Sequence, residues 1–127
     1  MAKILYVDAD RERSRVMIRL LCEKGHYVVP TSSAERAMMH VERESDYDAV
    51  VVHLILPGID GAELCRWLQK WSSLPRAPRV VFSGPEAHLC VDLEGGLPRW
   101  LPADVYLHNV ADAVSIVEAV EGILCPP

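Results

Sequence analysis

The stretch DAVVVHLILPGIDG, residues 48 to 61, decides the fold. Its run of β-branched and aliphatic side chains predicts a strand buried on both faces, which is typical of the centre of a parallel sheet covered by helices. Pro57 and Gly58 then predict a tight turn. His53 does not fit this pattern, because it places an imidazole near the carboxyl end of an otherwise apolar strand.

Working outward, short apolar runs on both sides of this stretch predict four further strands. Pro30 cannot donate a backbone hydrogen bond, so we expect the second strand to lie near an edge of the sheet. The predicted segments are KILYVD (3 to 8), HYVVPT (26 to 31), RVVFS (79 to 83) and DVYLH (104 to 108).

Segments of helical periodicity separate these strands. Asp10 is placed to cap the first helix, Ser32 and Glu35 have the spacing of a capping box for the second, and Asn109 is placed to cap the last. AELCRWLQKW, residues 62 to 71, predicts the helix after the central strand. The expected apolar stripes are Val16, Met17, Leu20 and Leu21 in the first helix, and Val110, Val114, Val117, Val120 and Leu124 in the last.

This alternation implies right-handed βαβ units, and therefore one doubly wound α/β domain over residues 1–127. The segment of about residues 84–103 is an irregular insert, since Gly95, Gly96, Pro98 and Pro102 prevent a long helix. Trp100 within it has two interpretations: it packs on the last helix, or it belongs to a docking surface.

Composition limits the class of function. The 127 residues are 50% hydrophobic and 24% charged, as in soluble globular proteins, and the net charge of −5 argues against nucleic-acid binding. The charges of residues 8–15 alternate in sign, which predicts a solvated helix face. No apolar run is long enough to cross a membrane, and we expect a cytoplasmic protein. The four scattered cysteines predict reduced thiols and no zinc knuckle.

In a parallel sheet of this kind the site lies at the carboxyl ends of the strands. Asp8, His53, Ser83 and Asn109 all fall at or just past predicted strand ends. We therefore expect these four side chains to lie close together.

These segments resemble the receiver domain of bacterial two-component response regulators, over essentially the whole chain. KILYVDAD resembles the first strand with its acidic pair, and YDAVVVHLILPGIDGAELCRWL resembles the phosphoacceptor strand with its turn and helix. RVVFSG and DVYLHNV resemble the fourth and fifth strands with their switch residues. The resemblance implies a flavodoxin-like (βα)5 fold with strand order 2-1-3-4-5.

The resemblance also implies a role for each site position, and several positions depart from the pattern. His53 stands at the phosphoacceptor Asp, Ala9 at the second residue of the acidic pair beside Asp8, and Asn109 at the phosphate-pairing lysine. Ser83, Gly84 and Tyr106 match the switch positions. One carboxylate with an imidazole is a poor ligand set for Mg²⁺, so we expect no aspartyl phosphorylation, no cofactor and no enzymatic activity.

The function expected is that of a degenerate receiver that binds a partner protein without phosphorylation. The resemblance implies that another signalling protein or an effector domain, or a second copy of the chain, contacts the face formed by the predicted fourth helix, fifth strand and fifth helix. Tyr106 and Trp100 are the expected aromatic anchors. The insert that carries Trp100 is about four residues longer than the usual interval in the family.

Three alternatives remain for the pocket. His53 and Asp8, with Asp10 as an uncertain addition, are possible ligands of Zn²⁺ or Mn²⁺, although nothing else in the sequence reliably supplies a third or fourth ligand. His53 beside Asp8 is a possible pH switch, with a structural neutral imidazole as the simpler interpretation. Phosphorylation of His53 itself is the last alternative.

Overall fold

The computed structural model describes residues 2–70, 78–83, 103–107 and 112–124. Strands and helices alternate along the described chain as β1 (Lys3–Val7), α1 (Arg11–Glu23), β2 (Tyr27–Thr31), α2 (Ala34–Arg43), β3 (Ala49–His53), α3 (Gly61–Lys70), β4 (Arg79–Phe82), β5 (Val105–Leu107) and α4 (Ala113–Leu124). Among these ranges, no helix is long and apolar enough to cross a membrane.

The five strands form one parallel sheet in the order β2-β1-β3-β4-β5. The predicted fold class and strand order are confirmed, with the central strand β3 buried along its whole length. The strand that contains Pro30 is an edge strand, as predicted, because β2 pairs only with β1. Pro30 sits opposite Tyr6 there.

Helices cover both faces of the sheet. Alternate side chains of β1 divide the core, so that Leu5 and Val7 pack with α2 and α3 whereas Ile4 and Tyr6 pack with α1 and α4. The same alternation in β3 makes it apolar on both sides. The site at the strand ends is therefore held between two hydrophobic layers.

Gly61 fixes the path from β3 into α3. A Cβ atom there would lie 2.6 Å from the carbonyl oxygen of His53 and 2.9 Å from the Cα of Leu54, distances that real Cβ atoms do not adopt. Only glycine therefore allows the helix to start this close to the strand end. Asp60 accepts a hydrogen bond from the backbone N–H of Glu63 and caps the first turn.

Two predicted helix caps are wrong. Ser33, not Ser32, caps α2 by accepting from the N–H of Arg36. Glu35 is turned to the turn after β3, where it accepts from the N–H of Ile59. The last helix begins at Ala113, so its start is too late for a cap at Asn109; Asp112 instead accepts from the N–H of Ser115.

Among the described residues the predicted apolar stripes have one exception in each terminal helix, and Val110, predicted for the last stripe, lies outside the described residues. Met17 and Leu21 of α1 are buried but Val16 is 39% exposed; Val117 and Val120 of α4 are buried but Val114 is 55% exposed. With 3.6 residues per turn, successive side chains point about 100° apart around a helix. Val16 and Val114 therefore lie at the side of their stripes and not over the sheet.

Most of the predicted insert, residues 84–102, lies outside the described residues, as do Gly84, Trp100 and Asn109.

Candidate functional site

The strand register brings polar residues together at one edge of the sheet. Asp8 follows β1, His53 ends β3 opposite Phe82, and Ser83 follows β4. All three polar residues are buried, with 2%, 4% and 0% of their surfaces exposed. The described residues therefore contain a compact polar pocket above an apolar core.

Asp8 is the centre of a dense hydrogen-bond network. Arg13 grips its carboxylate with two donors, Nε at 2.6 Å from Oδ2 and Nη2 at 2.8 Å from Oδ1. The hydroxyl of Tyr6 donates to Oδ2 over 2.9 Å, and the N–H of Asp10 donates to Oδ1 over 3.0 Å. Both carboxylate oxygens thus accept two hydrogen bonds each, and the buried charge has a cation against it.

Arg13 is the functional residue that the sequence reasoning missed. The alternating charges of residues 8–15 predict a solvated face, yet Arg13 lies four residues before Met17 and eight before Leu21, the two buried residues of α1. That spacing places it on the inward stripe. The periodicity signal was present in the sequence, but the charge of the side chain hid it.

The pKa values in the network follow its contacts. Hydrogen bonds to Asp8 raise the pKa of the Arg13 guanidinium above its ordinary value. Burial, and then the Asp8 charge, raise the pKa of the Tyr6 hydroxyl far above 10.0, its ordinary value. Tyr6 therefore stays a neutral donor and Arg13 stays a cation throughout the physiological range.

Phe82 supports three members of the site. Its ring centroid lies 5.6 Å from the Arg13 guanidinium carbon, 5.0 Å from the His53 ring and 6.3 Å from the Tyr6 ring. It is the only phenylalanine of the chain and is 1% exposed. A cation over the face of an aromatic ring is further stabilised, so Phe82 helps to hold Arg13 inward.

His53 faces the same pocket and contacts a backbone carbonyl. Its Nδ1 lies 2.8 Å from the carbonyl oxygen of Ile55. A carbonyl only accepts, so we assign the hydrogen to Nδ1. That nitrogen is 4.0 Å from Oδ1 of Asp8, beyond a hydrogen bond.

Asp10 and Ala9 lie at the mouth of the pocket and are exposed. Asp10 caps α1 by accepting from the N–H of Arg13, and this hydrogen bond lowers the pKa of its carboxyl. Its carboxylate also lies 3.9 Å from the Arg13 guanidinium. Within the described ranges, no group of three or more His, Cys, Asp and Glu side chains is arranged to hold a metal ion.

Ser83 and Tyr106 connect the pocket to the strand at the other edge. The Ser83 Oγ and the Tyr106 hydroxyl are 2.9 Å apart and share a hydrogen bond, while the Tyr106 ring packs against the core on the α2 and α3 side. The two predicted switch positions therefore contact each other, and the tyrosine is partly buried rather than fully exposed.

Comparison with known proteins identifies the family. A model of the response regulator receiver domain matches residues 4–91. The transcriptional regulatory protein TcrA of Mycobacterium tuberculosis is 31% identical over 99 residues, which cover 78% of this chain and 39% of that protein. ResD of Bacillus subtilis, another transcriptional regulatory protein, is 30% identical over 99 residues, with coverages of 78% and 40%. The chain spans about two fifths of the length of these relatives.

Solved structures agree on the fold. A response regulator receiver domain protein from Clostridium thermocellum superposes with a TM-score of 0.77 at 20% identity, covering 98% of this chain and 94% of that one. The chain therefore belongs to the response regulator receiver domain family, whose members are signalling modules of two-component systems.

Proposed function

We propose that this chain is a degenerate receiver domain that acts through protein binding without aspartyl phosphorylation. The observation that carries the proposal is the pairing of Asp8 with Arg13, which meets both carboxylate oxygens at 2.6 and 2.8 Å. The remaining acidic side chain of the pocket already has its cation, so the pocket has little electrostatic demand for a second one.

Three features of the site argue against phosphate chemistry. Mg²⁺ requires several hard oxygen ligands in octahedral geometry, and a carboxylate that accepts four hydrogen bonds would have to give them up first. Position 9 holds Ala9 in place of a second carboxylate. At the phosphoacceptor position, His53 offers an imidazole and no carboxylate nucleophile.

Phosphorylation of His53 itself is also disfavoured by its environment. Only 5% of the side chain is exposed, and its Nδ1 is engaged with the Ile55 carbonyl. A phosphoryl donor would have to reach a buried ring and leave a dianion beside the Asp8 carboxylate. His53 Nδ1 lies 4.0 Å from Oδ1 of Asp8, and like charges so close repel strongly in a poorly solvated pocket.

The sensing alternatives differ in their support. A metal site at Asp8, Asp10 and His53 would compete with Arg13 for Asp8 and with the helix cap for Asp10. A pH switch rests on the 4.0 Å between His53 and Asp8. An NMR titration of the His53 ring decides the latter: a fixed neutral ring between pH 5 and 8 excludes the switch.

The switch positions support the proposed binding through a fixed surface. The hydrogen bond between Ser83 and Tyr106 holds the tyrosine in one place on the core. We propose that the fifth strand, the last helix and the insert with Trp100 contact a signalling protein, an effector domain or a second copy of the chain. Capture of partners by the wild type, by Trp100→Ala and by Tyr106→Ala tests this, with Tyr27→Ala as the control because Tyr27 is 60% exposed on the opposite edge strand.

Incubation with acetyl phosphate and MgCl2, followed by intact-mass analysis, tests the loss of phosphorylation. We expect no adduct on the wild type, while an ordinary receiver domain takes one phosphoryl group in the same tube. A variant that combines His53→Asp, Ala9→Asp, Asn109→Lys and Arg13→Met restores a ligand set and frees Asp8, so we expect it to gain an adduct. A stoichiometric adduct on the wild type would refute the proposal.

A further inference from the structure

A concave site adjoins the Asp8 network, with Asp8 and Ala9 on its lining together with residues of α1 and α2. Its volume is about 380 Å³, within the range of small-molecule sites. Basic residues of both helices line it, Arg11 and Arg15 of α1, and Arg36 and His40 of α2. Convergence from two helices favours a compact anion, whereas a row along one helix would favour an extended chain.

The three arginines of this cleft have no ion-pair partner among the described residues. This is notable in a chain with a net charge of −5, which has more than enough carboxylates to pair them. Guanidinium groups bind phosphate with two parallel hydrogen bonds, and the geometry of a convergent set suits several phosphate oxygens at once.

The Asp8 carboxylate is not free to offset the arginines of the cleft. Asp8 lines the cleft, but its carboxylate is turned to Arg13. Ala9, also on the rim, stands where the family has an acidic residue. An anion in the cleft would therefore meet no unpaired carboxylate from these two positions.

The rest of the lining supplies short polar groups and apolar surface. The hydroxyls of Ser14 and Ser32 border the cleft, and Ile18 and Pro30 add apolar contact. The cap of α1 already uses the Asp10 carboxylate and the N–H of Arg13, so the ligand is held mainly by side chains.

We infer that this cleft binds a small phosphorylated molecule, of the class of oligophosphates and nucleoside polyphosphates, in which Arg11, Arg15 and Arg36 hold the phosphates. Ile18 and Pro30 offer the surface for the uncharged part of the ligand. The inference does not depend on the loss of aspartyl phosphorylation, because none of these arginines contacts His53 or the Asp8 carboxylate in the hydrogen-bond network described above.

Calorimetry with sodium pyrophosphate and with ATP, in EDTA to exclude metal, tests the inference on the full chain. We expect saturable one-to-one binding, and a loss of about tenfold in affinity for Arg15→Gln and for Arg36→Gln, as for one charge-assisted bidentate contact each. Arg19→Gln on α1 and Arg43→Gln on α2 are the matched controls, since neither side chain lines the cleft. Both should bind within about twofold of the wild type, because an exposed charge that does not contact the phosphates is largely screened at 0.15 M salt.

Two results would overturn the inference. Equal weakening by all four substitutions would mean that the phosphates respond to overall charge and not to the cleft. Tighter binding of a hexaglutamate peptide than of ATP would mean that the cleft serves an acidic protein segment. Tighter binding of ATP than of pyrophosphate supports a contact of the nucleoside with the Ile18 and Pro30 surface.

Discussion

Arg13 and Arg15 lie two residues apart on the same helix and occupy opposite situations. Arg13 points inward, with 29% of its side chain exposed, and pairs with the fully buried carboxylate of Asp8. Arg15 is exposed and lines the open cleft between α1 and α2. Helical phase alone separates a side chain that completes a buried network from one that leaves its charge available to a ligand.

The Asp8 pocket and the cleft also differ in whether their charged side chains have partners. In the Asp8 pocket the acidic side chain is already matched by Arg13, Tyr6 and a backbone donor. In the cleft, three arginines face a concave surface without a carboxylate partner among the described residues. The account predicts that substitutions in the pocket change stability, whereas substitutions in the cleft change ligand binding.

The largest expected effect separates the two arginines. Arg13→Met removes the cation from a buried carboxylate, and we expect a loss of about 2 to 3 kcal/mol, below the full cost for a buried pair because water reaches part of the guanidinium. Arg15→Met should change the free energy of unfolding by no more than about 0.5 kcal/mol, as for other exposed positions. Urea denaturation of both variants measures the contrast.

A double variant controls for packing. Asp8→Asn combined with Arg13→Met removes both charges, so its cost should be smaller than the sum of the two single costs. Additive costs would mean that Arg13 acts through its alkyl chain and not through Asp8.

Tyr6→Phe tests how much the Tyr6 hydroxyl contributes to the stability of the Asp8 pocket. It deletes the hydroxyl that donates to Asp8, and we expect a loss of about 1.5 kcal/mol for a hydrogen bond to a charged group. The pKa of Tyr6 is raised in the folded state. Above pH 10.0 the Tyr6 hydroxyl of the unfolded chain therefore loses its proton while that of the folded chain keeps it, and this difference favours unfolding. The wild type should therefore lose its advantage over Tyr6→Phe as the pH rises above that value, and an advantage that grows there would contradict the assignment.

The smallest effect tests the boundary of α2 on the cleft side. Ser33→Ala removes the observed cap and should cost about 1 kcal/mol. Ser32→Ala, which removes the cap predicted from the sequence, should change stability by no more than about 0.5 kcal/mol because its side chain lines the cleft. Thermal unfolding of the pair distinguishes the two; the reverse order would restore the capping box.

The fold was predictable because its signals are local and strong. The β-branched apolar run of β3 is typical of a strand buried on both faces, and the missing backbone donor of Pro30 favours an edge strand. Helix caps were less predictable, because adjacent serines satisfy the same pattern and only the backbone path after β2 selects Ser33 over Ser32. For the last helix, Asn109 and Asp112 are both residues of a type that caps helices, and the start at Ala113 makes Asp112 the one that accepts from the N–H of Ser115.

The site was only half predictable for a different reason. Asp8, His53 and Ser83 follow from the rule that carboxyl ends of parallel strands meet. Arg13 comes from a helix and reaches the pocket through a long side chain over Phe82, a contact that strand order does not imply. A rule that weighs helical phase above charge would have found it, since Arg13 shares its stripe with Met17 and Leu21.

The central claim, that Arg13 already occupies the Asp8 pocket, is tested most directly by the NMR signal of the Arg13 Nε–H group. The signal is assigned by its loss in Arg13→Met. The account predicts a protected resonance that does not move with millimolar MgCl2, alone or with beryllofluoride as a phosphoryl mimic. A resonance that shifts in a saturable way, or that exchanges with water as fast as the exposed arginines do, would show that the pocket still accepts magnesium and phosphate.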